Sequence, residues 1–146
     1  MTRLIDTHAH LQDEAFAPDL PQVRERAENA GIAAVINVGT DLETSRQAIK
    51  LAENNRGFWA LVGFHPHDAK LWNENSKAEL CDLLEDAHVL GIGEIGLDYH
   101  YDYSPREIQQ KVFKEQWRLA AELDVPVVIH VREAFEDFFS IIKNEP

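Results

Sequence analysis

The sequence predicts an α/β protein with a parallel sheet, because five short apolar runs alternate with stretches of helical periodicity. The runs are rich in Val, Ile and Leu and lack a clean in-out alternation, as expected of strands buried on both faces. Successive βα units of this kind predict right-handed crossovers between neighbouring parallel strands. The chain has 146 residues, 45% of them hydrophobic, so we expect residues 1–146 to form one domain.

The strands are predicted at the five apolar runs, and the helices between them. The runs cover Arg3–Asp6, Ile32–Val38, Phe58–Phe64, Val89–Gly93 and Pro126–His130. Capping-box patterns predict helix starts at Thr40–Glu43, Ser76–Glu79 and Ser104–Glu107. Gly31 and Gly57 stand where helix C-caps belong. After Pro105 an apolar stripe follows the helical period: Ile108, Val112, Phe113, Trp117, Ala120 and Leu123.

Composition limits the function classes. A net charge of −12 argues against broad electrostatic capture of nucleic acid, but bound divalent cations can supply positive charge where a phosphate reacts. The lone Cys81 rules out an internal disulfide framework and favours a cytoplasmic location. No apolar run approaches the roughly 18 residues of a membrane span, and a signal-peptide layout is not present at the N-terminus. We therefore expect no membrane partner.

Two architectures fit a run of five βα units: an open doubly wound sheet, or part of a (β/α)8 barrel. A glycine-rich dinucleotide loop is missing after the first strand, where the segment DTHAH (residues 6–10) stands instead. This absence weakens the nucleotide-binding, doubly wound alternative.

Polar residues with metal-binding chemistry collect at the predicted strand ends. His88 and His100 fall elsewhere, the first on the surface before the fourth strand and the second in a loop. The residues at the strand ends are His8, His10, His65, His67, Glu94 and His130. Because parallel strands end on one face, which carries the active site in such folds, we expect a metal site there.

Imidazole and carboxylate ligands suit Zn²⁺, Mn²⁺ or similar ions, and two ions sharing a carboxylate could act on a phosphate ester. Glu94 is the best candidate for the shared ligand, because neighbouring glycines let the backbone bend closely around the site. Asp6 is expected either to orient a metal-binding residue without binding the metal itself, or to cap its strand.

Four ordered motifs resemble the TatD family of metal-dependent deoxyribonucleases. They are DTHAH, GFHPHD, GEIGLDYH and PVVIHVRE, and the resemblance runs from Leu4 to about Ala134. It implies a (β/α)8 TIM barrel that hydrolyses DNA phosphodiester bonds as an exonuclease, with two divalent ions (Mg²⁺, Mn²⁺ or Zn²⁺).

The resemblance also implies roles for individual residues. His8 and His10 would bind one metal, His130 the other, and Glu94 would bridge both ions as a catalytic residue. His65 and Arg132 would lie near the scissile phosphate, in keeping with the bidentate fit of Arg to phosphate, with His65 the second catalytic residue. His67 and Asp98 would support the site.

The chain departs from the family pattern after the fifth strand. The family continues with a further histidine and an aspartate, whereas this sequence stops at Pro146; a whole barrel is typically ~250 residues. We therefore expect an amino-terminal portion with about five of the eight units, which self-associates or needs the missing half. Apolar strand residues are then expected to be exposed, with candidates among Val35, Ile36, Leu61, Ile92 and Val128.

Two other functions stay open. A small-molecule amidohydrolase could use the same scaffold, although related two-metal amidohydrolases commonly bridge their ions with a modified lysine, where this chain has Glu94. The other alternative is an inactive truncated module that folds and binds metal poorly.

Overall fold

The computed structural model describes residues 3–146 and contains one parallel sheet of five strands in sequential order. The strands are β1 (Leu4–Ala9), β2 (Ile32–Val38), β3 (Phe58–Val62), β4 (Val89–Asp98) and β5 (Val127–Arg132). The helices are α1 (Leu20–Asn29), α2 (Leu42–Asn54), α3 (Ser76–Leu84), α4 (Arg106–Leu123) and α5 (Phe135–Asn144). Short 3₁₀ turns follow β1, at Glu14–Phe16, and β3, at Pro66–Leu71. The predicted alternation of strands and helices is confirmed.

Strand boundaries differ from the predicted ones at the carboxyl ends. β2 matches the prediction, β3 ends two residues earlier than predicted, and the other three strands run further. The extra length comes from continued pairing, which reaches Ala9 opposite Asn37 and Asp98 opposite Arg132. His8 and Glu94 therefore lie within strands instead of following them, and His130 precedes the end of its strand.

The predicted helix caps are mostly displaced. The capping box of α2 is formed by Asp41 and Thr44, one residue later than predicted: the Asp41 carboxylate accepts from the Thr44 amide at 2.8 Å. Ser76 is the first residue of α3 instead of its cap. The Ser104 hydroxyl caps no helix; it donates to the His67 carbonyl (2.8 Å) and accepts from the Lys70 amide (3.0 Å). Ser104 thus holds the 3₁₀ segment after β3 in place through two hydrogen bonds.

The two predicted C-cap glycines differ in their outcome. Gly31 follows the C-cap of α1 directly, with φ +90°, as predicted. Gly57 also has a left-handed φ, +87°, but it lies two residues beyond the C-cap of α2, in the turn that leads into β3.

The core lies between the sheet and its helices, and it buries residues that the sequence suggested would be exposed. Val35 packs with Ala52 and Phe58, and Ile92 lies in the main cluster with Phe113. Leu61 is buried as well, while Ile36 and Val128 are half-buried. The expectation of exposure is therefore wrong for Val35, Leu61 and Ile92. The exposed large apolar side chains instead include Leu4, Ile5, Phe135 and Phe139, on β1 and α5.

Two buried glutamines interrupt the apolar stripe of α4. Val112, Phe113 and Ala120 are buried as predicted, but Ile108 and Leu123 are exposed. The Gln116 side chain accepts from the Phe64 amide at 2.8 Å and donates to the Phe64 carbonyl at 3.0 Å. Gln109 makes the same pair of bonds with Asp98, at 2.8 and 3.0 Å. Gln116 thus satisfies backbone groups just beyond the end of β3, and Gln109 satisfies those at the end of β4.

No helix among residues 3–146 is both long enough and apolar enough to cross a membrane.

Replacing Gln116 with Leu should destabilise the protein by about 2–4 kcal/mol, because the buried Phe64 amide and carbonyl lose their partners. Chemical denaturation measures this change. Gln47→Leu is the matched control, since Gln47 is exposed and within residues 3–146 its side chain bonds only Glu43; it should stay within about 0.5 kcal/mol of the parent. Equal stability of the two variants would contradict the role given to Gln116.

Candidate metal centre

The carboxylate of Glu94 lies between histidines from the two edge strands of the sheet. One oxygen, Oε2, is 3.1 Å from His8 Nε2, and the other, Oε1, is 3.1 Å from His130 Nδ1. The sequence prediction that His8, Glu94 and His130 cluster at the carboxyl ends of the strands therefore agrees with the structure.

Backbone geometry brings Glu94 into this position. The Glu94 amide donates to the carbonyl of Gly39, just beyond the end of β2, at 3.1 Å. Gly96 has φ +143°, and any side chain there would collide with the His130 carbonyl of β5. The absence of a side chain lets β4 approach β5 closely while its pairing register shifts between Ile92 and Ile95. Gly96 thus permits a close approach of the two strands beside Glu94.

The first candidate group of ligands consists of His8, His10 and Glu94. One ligand atom from each lies within 4.8 Å of the others. His10 Nδ1 is 2.8 Å from the Val38 carbonyl, which can only accept, so this nitrogen carries the proton. The lone pair of His10 is therefore on Nε2 and is available to a cation.

The second candidate group consists of Glu94, His130 and His65, again within 4.8 Å. His130 Nε2 is 2.9 Å from Asp98 Oδ2, while its Nδ1 faces Glu94. A proton on Nε2 that is donated to Asp98 leaves Nδ1 as a ligand, the usual carboxylate–histidine–metal arrangement. Glu94 is common to both groups, which fits the predicted shared ligand.

His65 meets the distance criterion for a ligand, but its hydrogen bonding favours another role. The backbone amide of His67 donates to His65 Nδ1 at 3.1 Å. Burial, assisted by nearby His130, lowers the pKa of His65 to about 4, so the ring is neutral at pH 7. A neutral ring whose Nδ1 accepts must carry its proton on Nε2. His65 therefore offers the site an N–H donor, which suits a phosphate oxygen better than a cation.

Asp98 is fully buried and fixes several parts of the site at once. Its Oδ1 accepts from the amides of His100 and Tyr101, both at 3.0 Å. Its Oδ2 lies 2.9 Å from both His67 Nε2 and His130 Nε2. Burial alone would raise the pKa of Asp98, but these hydrogen bonds together hold it well below its usual range. Asp98 is therefore an anion that orients two histidines.

The electrostatics of Glu94 suit a cation site. Burial opposes ionisation of Glu94, yet the hydrogen bond from His130 and the nearby His8 and His65 keep the pKa of Glu94 below its ordinary value. The same hydrogen bond to Glu94 raises the pKa of His130, so a cation binding at Nδ1 must displace that proton. An ionised carboxylate among imidazoles is a donor set that fits Zn²⁺ or Mn²⁺.

The remaining predicted residues lie around this centre. Asp6 is exposed, and its carboxylate accepts from the His8 amide at 3.1 Å, so it contacts the backbone of a ligand residue and not its ring. The Arg132 guanidinium lies 4.8 Å from the centroid of the Tyr101 ring, on the exposed end of β5. His88 pairs with Asp86 before β4, and His100 pairs with Glu133, both outside the cluster as predicted.

The sequence did not reveal the polar side chains that bind the backbone at and next to the site residues. Gln109 binds the backbone of Asp98, Gln116 binds that of Phe64, and Ser104 binds that of His67. A signal was present, because both glutamines interrupt an otherwise apolar helix face. Their partners could not be identified without the fold.

Comparisons with known proteins identify the family. The family model described as TatD related DNase matches residues 5–146. The uncharacterized metal-dependent hydrolase YabD of Bacillus subtilis is 42% identical over 142 residues, which are 97% of this chain and 56% of that protein. The 3′-5′ ssDNA/RNA exonuclease TatD of Edwardsiella piscicida is 41% identical over 96% of this chain and 54% of its own length.

Solved structures confirm the fold. YJJV, a TatD homologue from Escherichia coli K12, superposes with a TM-score of 0.89 at 34% identity, covering 97% of this chain and 55% of that one. A TatD family hydrolase from Entamoeba histolytica gives a TM-score of 0.89 at 26% identity, covering 97% and 54%. The chain spans about half the length of the relatives it matches, and its five parallel strands form a half-barrel of the TIM type, as predicted.

Replacing Asp98 with Asn should weaken binding of Mn²⁺ by about 10–100-fold, because His130 loses the carboxylate that sets its tautomer and orientation. Isothermal titration calorimetry with the metal alone measures this affinity. Asp86→Asn is the matched control, since Asp86 also pairs with a histidine, His88, but outside the cluster. Identical affinities for the two variants would remove Asp98 from the metal centre.

Proposed function

The chain belongs to the TatD-related DNase family, and from that premise we propose that it acts as a divalent-metal-dependent nuclease that cleaves DNA phosphodiester bonds from a strand end. The observation that carries the proposal is the shared Glu94 carboxylate, whose two oxygens face His8 and His130. The name of the Edwardsiella piscicida relative, a 3′-5′ ssDNA/RNA exonuclease, supports the same class of substrate.

The residues that would hold metal are His8, His10, Glu94 and His130, for two ions of Mg²⁺, Mn²⁺ or Zn²⁺. When bound, such ions lower the pKa of water and stabilise negative charge on a phosphate and its leaving oxygen. The chain has a net charge of −12, so positive charge at the site is needed to bring a phosphate close to Glu94 and Asp98.

The chain's own residues would bind and orient the phosphodiester. His65 would donate from Nε2 to a phosphate oxygen, since its Nδ1 is occupied by the His67 amide. Arg132 would add positive charge, because it is exposed and forms no ion pair within residues 3–146. Asp98 and His67 would act only through the residues they contact.

In the full-length protein, Glu94→Ala should abolish DNA cleavage while leaving the fold intact, because both candidate ligand groups lose their shared carboxylate. His67→Ala should cost less, since His67 belongs to neither group. Single-turnover cleavage of an end-labelled oligonucleotide with Mg²⁺ or Mn²⁺ measures both losses, and circular dichroism checks the fold.

The parent protein is also tested for metal-dependent hydrolysis of a panel of cyclic amides, which are the substrates expected of the amidohydrolase alternative. Near-normal DNA cleavage by the folded Glu94→Ala variant would remove Glu94 from the mechanism. Metal-dependent turnover of the amides without turnover of DNA would replace the nuclease proposal by the amidohydrolase alternative.

We also propose that this chain associates with itself through the edges of its sheet. In the part of the chain that the structure describes, β1 and β5 each pair with one strand only, and such edges invite further pairing. The edge strand β1 also exposes Leu4 (51%) and Ile5 (61%). Burying these side chains against another copy would remove apolar surface from water.

Light scattering at several concentrations should therefore show a mass above that of one chain, rising with concentration. Ile5→Lys should shift the chain toward the monomer, because a charge on the edge opposes pairing. Leu71→Lys is the control, since Leu71 is similarly exposed (50%) but lies away from both edges. A monomer at every concentration would show that the edges do not drive association.

A further inference from the structure

Two exposed tyrosines lie stacked beside the metal centre. The rings of Tyr101 and Tyr103 have centroids 5.2 Å apart and are inclined by only 14°. Their exposed fractions are 46% and 57%, which is high for large aromatic side chains. Neither side chain has a part in the proposed chemistry.

The pair is connected to the site through His67. The His67 ring contacts both tyrosines edge-on, at centroid distances of 5.5 Å to Tyr101 and 4.8 Å to Tyr103. His67 Nε2 is 2.9 Å from Asp98, which also holds His130. The stacked rings therefore lie one side chain away from the candidate metal ligands.

The loop that carries the pair is held in place on both sides. Between the two tyrosines, Asp102 has a left-handed φ of +50°, and its carboxylate is 2.9 Å from the Arg106 guanidinium. The Tyr101 amide donates to Asp98 at 3.0 Å, and buried Ser104 bonds to the segment after β3. Binding on these rings would therefore need little ordering of the loop.

Tyr103 is the more accessible of the two rings. The Arg132 guanidinium lies 4.8 Å from the centroid of the Tyr101 ring. Tyr101 thus contacts Tyr103, Arg132 and the His100 ring, the last at a centroid distance of 4.6 Å. The candidate surface is therefore the face of Tyr103 turned away from Tyr101, its outer face. The Lys70 ammonium donates to the Tyr103 carbonyl at 3.1 Å, so cations stand beside the platform on a chain of net charge −12.

We propose that the outer face of Tyr103, backed by Tyr101, binds an unpaired nucleobase next to the scissile phosphate. The inference rests on the proposed nuclease function. Every base has a π-face, so an aromatic platform recognises single strands with little sequence preference. The adjacent Arg132 and Lys70 match the phosphates that accompany such a base. A paired and stacked base cannot present its face, so the platform favours single-stranded over duplex ends.

The test measures binding separately from cleavage. Fluorescence anisotropy of a fluorescein-labelled single-stranded oligothymidylate with nuclease-resistant phosphorothioate linkages, in Mg²⁺, gives the dissociation constant. Tyr103→Ala should raise it about tenfold, whereas Tyr103→Phe, which keeps the ring, should stay within about twofold. Phe139→Ala is the control, because Phe139 is also exposed (50%) and aromatic but lies on α5.

A second arm uses substrates that lack the base. An abasic residue at the 3′ end of the oligonucleotide should weaken binding to the parent about as much as Tyr103→Ala does, and should weaken binding to Tyr103→Ala no further. Duplex binding should be the same for both proteins. Equal affinity of parent and Tyr103→Ala for the single strand, or an equal loss for single strand and duplex, would overturn the proposal.

Hydrolysis with Mg²⁺ or Mn²⁺ distinguishes this inference from the function on which it rests. A parent that binds single strands through Tyr103 but cleaves no oligonucleotide would contradict the nuclease function and leave the base-binding platform standing. A parent that cleaves DNA with the same KM as Tyr103→Ala would retain the nuclease function and contradict the platform.

Discussion

The contacts of the Glu94 carboxylate are the constraint on which the arrangement of the site depends. A buried carboxylate is costly unless it is paired, and its two oxygens are met by His8 from the first strand and His130 from the fifth. Strands that are four places apart in the sheet order thus converge on one side chain. The same charge that needs these partners is the charge that would hold cations.

Helix α4 supplies the support for this arrangement. β3 is only five residues long, and the chain beyond it turns into a 3₁₀ segment whose backbone groups need partners. Gln116 satisfies Phe64 in this region, and Gln109 satisfies Asp98 at the end of β4. Side-chain amides thus satisfy backbone groups at both positions. The helix therefore positions His65 and Asp98 through hydrogen bonds to the backbone of Phe64 and Asp98.

Hydrogen-bond partners divide the histidines by the nitrogen they can offer. The Val38 carbonyl leaves the lone pair of His10 on Nε2, Asp98 occupies Nε2 of His130 so that only its Nδ1 can meet a cation, and the His67 amide leaves His65 with an N–H. Residues of one chemical type thus acquire two functions, cation binding and hydrogen-bond donation. This division gives physical support to the separate roles that the family resemblance implied for His65 and His130.

The sequence by itself determined the α/β class and the gathering of His8, Glu94 and His130. Periodicity places residues on strands, and parallel strands all end on one face, so these conclusions depend on local pattern alone. Residue spacing cannot reveal which strand continues to pair, so the ends of β1, β4 and β5 were predicted too early. The tertiary structure alone decided which nitrogen of each histidine is free, which backbone groups Gln109, Gln116 and Ser104 satisfy, and that Tyr101 and Tyr103 stack beside the site. Each of these depends on a partner distant along the chain, and its position is fixed only when the sheet and helices pack.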